Sequence, residues 1–283
     1  MIDKIGPFKR YTKKPNDITY GSIFYANFIL PVPYFPKRTI RVFLPEDFDF
    51  NQKYPVIFMS DGQNIVDKYT TAFGAWEIDK RQHELIKEGY PSFIVVGIDC
   101  PKKWFERALE YSFPHMKIEQ AEFLTIDFKY EPYSQLLHDY IANELYPLIK
   151  QYFPIADERK LTAVGGSSMG GVFALSSITR HPELFGYALC FSPAFHIYNR
   201  DEVNKYMEEA MQRMDKTTKF TFYSGGVDFE ASFVEPATYM HRYLLEHGYK
   251  NVQLILDPKE IHNESAWSKH FNEAIKFWLD KKQ

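Results

Sequence analysis

The chain has 283 residues, long for one domain but ordinary for a single α/β domain with insertions. Hydrophobic residues make up 45% and charged residues 25%, a globular balance, and a net charge of -3 offers no basic field to nucleic acid or anionic lipid. No stretch approaches the roughly 20 apolar residues of a spanning helix. The start, Met1 to Pro7, lacks the apolar segment of a signal peptide, so the expected compartment is the cytoplasm.

The first third reads as strands. Ile18 to Leu30 and Arg38 to Leu44 are rich in β-branched and aromatic residues, with Pro31-Val32-Pro33 as the break between them. Val56–Met59 is a short apolar strand, Trp76 to Glu88 has helical character, and Phe93–Ile98 is another buried strand. Residues 101–132 show no clear period and carry many aromatic and charged side chains, which predicts an active-site loop or lid insertion. A long helix is expected from Ser134 to Tyr152, bent at Pro147.

From there strand and helix alternate. Leu161–Val164, Tyr187–Phe191, Phe220–Tyr223 and Val252–Leu256 are strands, each followed by a helix: Gly170 to Thr179, Asp201 to Met214, Phe233 to His247, and Glu264 to Asp280. Apolar strands alternating with helices predict a mostly parallel sheet covered on both faces, within one domain spanning 1–283. Cys100 and Cys190 each follow an apolar run and read as buried free thiols rather than a disulfide.

One pentapeptide carries the chemistry. Gly166-Ser167-Ser168-Met169-Gly170 reads G-x-S-x-G and falls between a strand and a helix. Such a sharp turn strains the serine backbone and leaves no room for side chains two residues to either side, the places of Gly166 and Gly170. It exposes the Ser168 hydroxyl and aims the first helical N–H groups at a reacting carbonyl.

A serine needs a base, and the base an orienting carboxylate; where a G-x-S-x-G turn tops a parallel sheet of the α/β-hydrolase kind, they come later in the chain, past strand ends. Asp228 fits the acid position after Phe220–Tyr223, with Glu230 as a near rival. His262, after Val252–Leu256, fits the base; the other eight histidines lie in helices, at helix ends, or upstream of the acid strand. One oxyanion donor is the N–H of Met169. The second is expected from Ser60-Asp61-Gly62-Gln63-Asn64, where Gly62 permits close approach and Gln63 supplies an N–H. Trp76, Trp104, Tyr111, Phe195, Tyr198 and Trp267 are candidate pocket walls, with core packing the competing role. Arg107 is a candidate for binding an anionic substrate group, with a structural ion pair the competing role.

With these residues in place, the chain resembles the esterase D / enterochelin-esterase-like branch of the α/β-hydrolases. The resemblance rests on Asp61–Asn64, Ala75-Trp76-Glu77, Val96–Asp99, Arg107 to Tyr111, Gly166–Gly171, Phe191-Ser192-Pro193 and His262–Trp267. It implies an α/β-hydrolase fold with about eight strands, and Ser168, His262 and Asp228 as nucleophile, base and acid. The expected activity is metal-independent hydrolysis of a small-molecule carboxylic ester through an acyl-enzyme, with acyl transfer and non-catalytic binding as alternatives. No cofactor, metal site, nucleic-acid partner or membrane partner is expected, since there is no H-x-x-x-H, no cysteine pair and no phosphate loop. A homo-oligomer is left open.

Overall fold

A computed structural model describes residues 2–12, 18–71, 74–119 and 131–281. The chain opens with β1 (Lys4–Ile5) and β2 (Phe8–Arg10), followed by β3 (Ser22–Ile29), β4 (Lys37–Leu44) and β5 (Val56–Ser60). Next come α1 (Ile78–Lys87), β6 (Ile94–Ile98), α2 (Trp104–Tyr111), α3 (Ser134–Tyr140) and α4 (Tyr146–Tyr152). The second half runs β7 (Thr162–Ser167), α5 (Met169–Arg180), β8 (Tyr187–Phe191), α6 (Arg200–Met211), β9 (Lys219–Gly225), α7 (Val234–Glu246), β10 (Val252–Asp257) and α8 (Glu264–Trp278).

All ten strands form one sheet in the order β1-β2-β3-β4-β6-β5-β7-β8-β9-β10. Strands β5 to β10 are mutually parallel, and β1 to β4 extend the β6 edge in antiparallel register. The sheet therefore has two strands more than expected. They are β1 and β2, two and three residues long, too short to show an alternating pattern in sequence.

Successive side chains of a strand point to opposite faces, and the core divides accordingly. Val56, Phe58, Ile94, Val96, Val164 and Phe222 join the layer under α2 to α7. Ile57, Met59, Val95, Ala163 and Tyr223 join the layer under α1 and α8. The strands are apolar throughout because both faces are covered. Helix α5 runs through the middle and is buried from Met169 to Thr179, so its hydroxyls must be satisfied internally. Ser177 Oγ donates to Phe173 O at 2.7 Å, and Thr179 pairs with the Tyr206 hydroxyl at 2.6 Å.

Two expectations change. The aperiodic stretch 101–132 contains helix α2, and its residues 120–130 lie outside the described residues. The long helix from Ser134 is split by a π-type turn, Ile141–Leu145, in which the Tyr146 N–H reaches back to Ile141 O. Pro147 has no N–H and its ring would press on a carbonyl one turn earlier; the wider turn in front of it removes that clash.

Candidate active site

Ser168 stands alone between β7 and α5 with φ 59° and ψ -123°, a conformation that costs a non-glycine residue on the order of 1–3 kcal/mol. The neighbourhood holds it there: Ser168 N donates to Phe191 O at 2.9 Å, and its carbonyl accepts from Gly171 N at 3.0 Å and Ala194 N at 3.3 Å. A Cβ on Gly166 would run into Ser60 Oγ and come within 2.7 Å of Gly170 O, and one on Gly170 would also meet Ser60 Oγ. Both glycines are thus required by space, as the pentapeptide predicted.

His262 lies in the short connection from β10 to α8. Its Nδ1 sits 2.5 Å from Glu230 Oε2. The other carboxylate oxygen, Oε1, accepts from Gly225 N at 2.7 Å and from the Ser192 hydroxyl. Ser192 in turn accepts from Trp267 Nε1 at 2.8 Å. The Glu260 carbonyl ties the two loops together by accepting from Gly226 N at 3.1 Å and Val227 N at 3.2 Å. The imidazole is packed by Phe233 at a centroid distance of 4.6 Å, Phe229 at 5.2 Å and Trp267 at 4.9 Å.

Asp228 is not the residue placed against His262; Glu230 is. The cause is local. Asp228–Phe233 forms a 3-10 helix of three residues per turn, so Glu230 and Phe233 share a face and both are buried beside the imidazole. Asp228 starts that helix on the solvent side, exposed and with φ 51°.

The loop after β5 is held by several clamps. Asp61, with φ 53°, receives Arg107 Nε at 2.8 Å and Nη2 at 2.7 Å, and its backbone N donates to the Tyr111 hydroxyl at 3.1 Å. Burial opposes the charge on Arg107, but the adjacent Asp61 outweighs it and holds the guanidinium firmly protonated. The Gln63 side chain is anchored on Cys100, accepting its N–H at 3.1 Å and reaching its sulfur at 3.3 Å. Gly62 lies flat on β6: a Cβ there would fall 2.6 Å from Ile98 N. Ser168, Met169, Gln63, Asn64, Arg107, His262 and Trp267 all line one cavity of about 1040 Å³ along the C-terminal ends of the parallel strands, where open α/β sheets place their sites.

Four expected pocket walls are elsewhere, Tyr198 among them, buried edge-on against Phe113. Trp76 is 1% exposed and packs on Trp267, Phe191 and Phe271 in the α1/α8 layer. Tyr111 is fully buried against Phe173, with only its hydroxyl serving the Asp61 turn. Phe195 packs between Phe113 and Phe222. Sequence reasoning missed Ser192, which Phe191-Ser192-Pro193 only hinted at, and Glu264, whose Oε1 accepts from Asn64 Nδ2 at 2.6 Å. Burial pushes the Glu264 carboxyl up to about 7, with the nearby Asp61 charge adding to the effect, and its other oxygen has no hydrogen-bond partner. His196 also lines the cavity, and burial lowers its pKa, with His262 adding to the effect. Among the described residues no group of three or more His, Cys, Asp or Glu side chains is placed to hold a metal ion. Nor is any helix long and apolar enough to cross a membrane.

A serine at a strained strand-to-helix turn, lining the same cavity as a carboxylate-held histidine at the ends of a parallel sheet, fits the α/β-hydrolase class of serine esterases. The family model described as Putative esterase matches residues 36–277, and the chain belongs to that family of carboxylic ester hydrolases. An uncharacterized protein of Bacillus subtilis (strain 168), YbbA, is 19% identical over 253 residues, covering 86% of this chain and 92% of its own. The BES protein from Bacillus cereus has the same fold, with a TM-score of 0.68 at 18% identity over 95% of this chain and 99% of its own. So does a ferulic acid esterase from the anaerobic fungus Anaeromyces mucronatus, with a TM-score of 0.65 at 18% identity over 97% of each chain.

Proposed function

We propose that this esterase hydrolyses a small-molecule ester through Ser168, His262 and Glu230 by way of an acyl-enzyme. The observation that carries the reading is the 2.5 Å pairing of His262 Nδ1 with the buried Glu230, in the cavity that Ser168 lines. Ser168 Oγ attacks the carbonyl carbon as His262 Nε2 takes its proton. Glu230 holds the Nδ1–H tautomer and stabilises the imidazolium that forms. The N–H of Met169, at the start of α5 where a helix leaves donors unpaired, and that of Gln63 stabilise the oxyanion. His262 then protonates the departing alkoxide, which releases the alcohol and leaves Ser168 acylated. Water, deprotonated by His262, attacks the acyl carbon, and the acid leaves as Ser168 regains its proton.

Reaction with a fluorophosphonate, read by intact mass and peptide mapping, tests the nucleophile. One adduct per chain on Ser168, absent from Ser168→Ala, is the expected result. A labelled wild type whose adduct maps to another residue would refute the assignment.

A further inference from the structure

Basic side chains gather at one end of the cavity wall, although the whole chain carries a net charge of -3. Lys37, Arg38, Arg41, Lys102 and Arg107 all line it. Three of these have carboxylate partners: Arg38 with Glu110 at 2.6 Å, Arg41 with Asp99 at 2.7 Å, and Arg107 with Asp61 at 2.7 Å. Lys37 and Lys102 are exposed and have no ion-pair partner among the described residues. The remaining carboxyl of the wall, Glu264, is paired with Asn64 rather than with a cation and sits at about pKa 7, so it offsets them only in part.

The two lysines are held in place from below. Arg38 is 1% exposed and donates from Nε to Phe35 O at 2.9 Å and from Nη1 to Asp99 O at 3.3 Å. One buried guanidinium thereby fixes the turn that leads into Lys37 and the turn that leads into Lys102. Phe35 adopts φ 49°, rare for a bulky residue, with its ring 5.9 Å from the Lys102 ammonium. Trp104, 48% exposed, continues the same rim.

Sheet order sets the distance. Ser168 follows β7, while Lys102 follows β6 and Lys37 opens β4, two and three strands away in the order β4-β6-β5-β7. At about 4.8 Å per strand this is on the order of 10–14 Å. On the opposite side, at β9 and β10, the wall is Phe229, Phe233 and His262.

We infer that the ester this protein takes carries an anionic group, a carboxylate or phosphate, remote from its scissile carbonyl, and that Lys37 and Lys102 receive it. The inference rests on Ser168 as the site of reaction. The probe is the p-nitrophenyl half-ester of sebacic acid, whose free carboxylate lies about 10 Å from the reacting carbonyl, compared with the same molecule capped as a methyl ester. An ω-phosphate analogue distinguishes phosphate from carboxylate.

The wild-type chain is expected to favour an anionic probe by about tenfold in kcat/KM at low salt, equivalent to ~1.4 kcal/mol. The preference falls as ionic strength rises. In the double variant Lys37→Glu, Lys102→Glu the anionic-to-neutral ratio inverts, and in Lys37→Ala, Lys102→Ala it falls toward one. Ratios taken within each protein cancel any general loss. Equal rates on charged and capped probes, or a preference that survives in both variants, overturns the inference. Failure of the Ser168 reading looks different, because hydrolysis of the neutral probe would then persist in Ser168→Ala.

Discussion

Replacing Glu230 by glutamine is the sharpest test of the site. The change keeps length and volume and removes the charge. Glu230 now accepts from three donors: His262 Nδ1 at 2.5 Å, Gly225 N at 2.7 Å and the Ser192 hydroxyl. A glutamine cannot accept from all of them. If its carbonyl keeps Gly225 and Ser192, its NH2 faces His262, and the ring must place its proton on Nε2, where it cannot act as a base. If it turns over, a buried N–H faces the Gly225 N–H, at a cost of about 1–3 kcal/mol. The first arrangement satisfies more bonds, so the wrong tautomer dominates. Expected is a loss in kcat of up to about 10⁴, or ~5.5 kcal/mol, with the fold retained. The exposed Asp228, changed to asparagine, should alter the rate by no more than about twofold. Steady-state hydrolysis of p-nitrophenyl acetate by both variants, with thermal melts alongside, decides it. A larger drop for Asp228→Asn than for Glu230→Gln would refute this reasoning.

Glu264 makes a pH-dependent contribution to stability. Its carboxyl is raised from 4.5 to about 7, chiefly by burial, so the folded chain holds a proton that the unfolded chain releases in that window. Stability from this group is complete below about pH 4.5 and is lost as pH rises through about 7, a fall of roughly 3 kcal/mol. Glu264→Gln should flatten that decline in melts from pH 5 to 8; an unchanged slope would show the carboxyl is not titrating there. Gly62→Ala should lower the melting temperature, because the new methyl meets the β6 backbone near Ile98 N and overpacking costs about 1–3 kcal/mol. An unaltered melting curve would contradict the close approach. Trp76→Ala should destabilise by about 3–5 kcal/mol in denaturant titrations, while KM of the folded fraction stays within about twofold. A large rise in KM with unchanged stability would return Trp76 to the pocket.

Eight of the ten strands, and every helix but α2, were legible as apolar runs or spaced stripes, with α3 and α4 read as one helix. An apolar run such as Val56–Ser60, or a spaced stripe such as that of α6, reflects burial that is local in sequence. Strands β1 and β2 escaped because they are two and three residues long, and α2 because it buries Glu106 and Glu110 beside Ala108, Leu109 and Tyr111, charges that a sequence pattern reads as surface. Ser168 was legible for a stronger reason: the glycines at 166 and 170 are demanded by backbone approach within five residues. His262 followed from its place after the last strand.

The acid was another matter. Asp228 and Glu230 are two residues apart in one loop, and either carboxylate has the right chemistry. Which one meets His262 depends on the Val227–Val234 segment coiling as a 3-10 rather than an α turn, and on the Glu260 carbonyl pinning that loop to its neighbour. Trp76, Tyr111 and Phe195 posed the same difficulty, because an aromatic in a core and one on a cavity wall look alike in a sequence. The sequence by itself therefore determined the fold class and singled out Ser168 and His262 as the candidate nucleophile and base, since each is written in short-range spacing and the order of strands. Tertiary structure decided which carboxylate meets His262, which aromatic side chains line the cavity and where its lysines lie, because those depend on which side chains distant in the chain come to face one another.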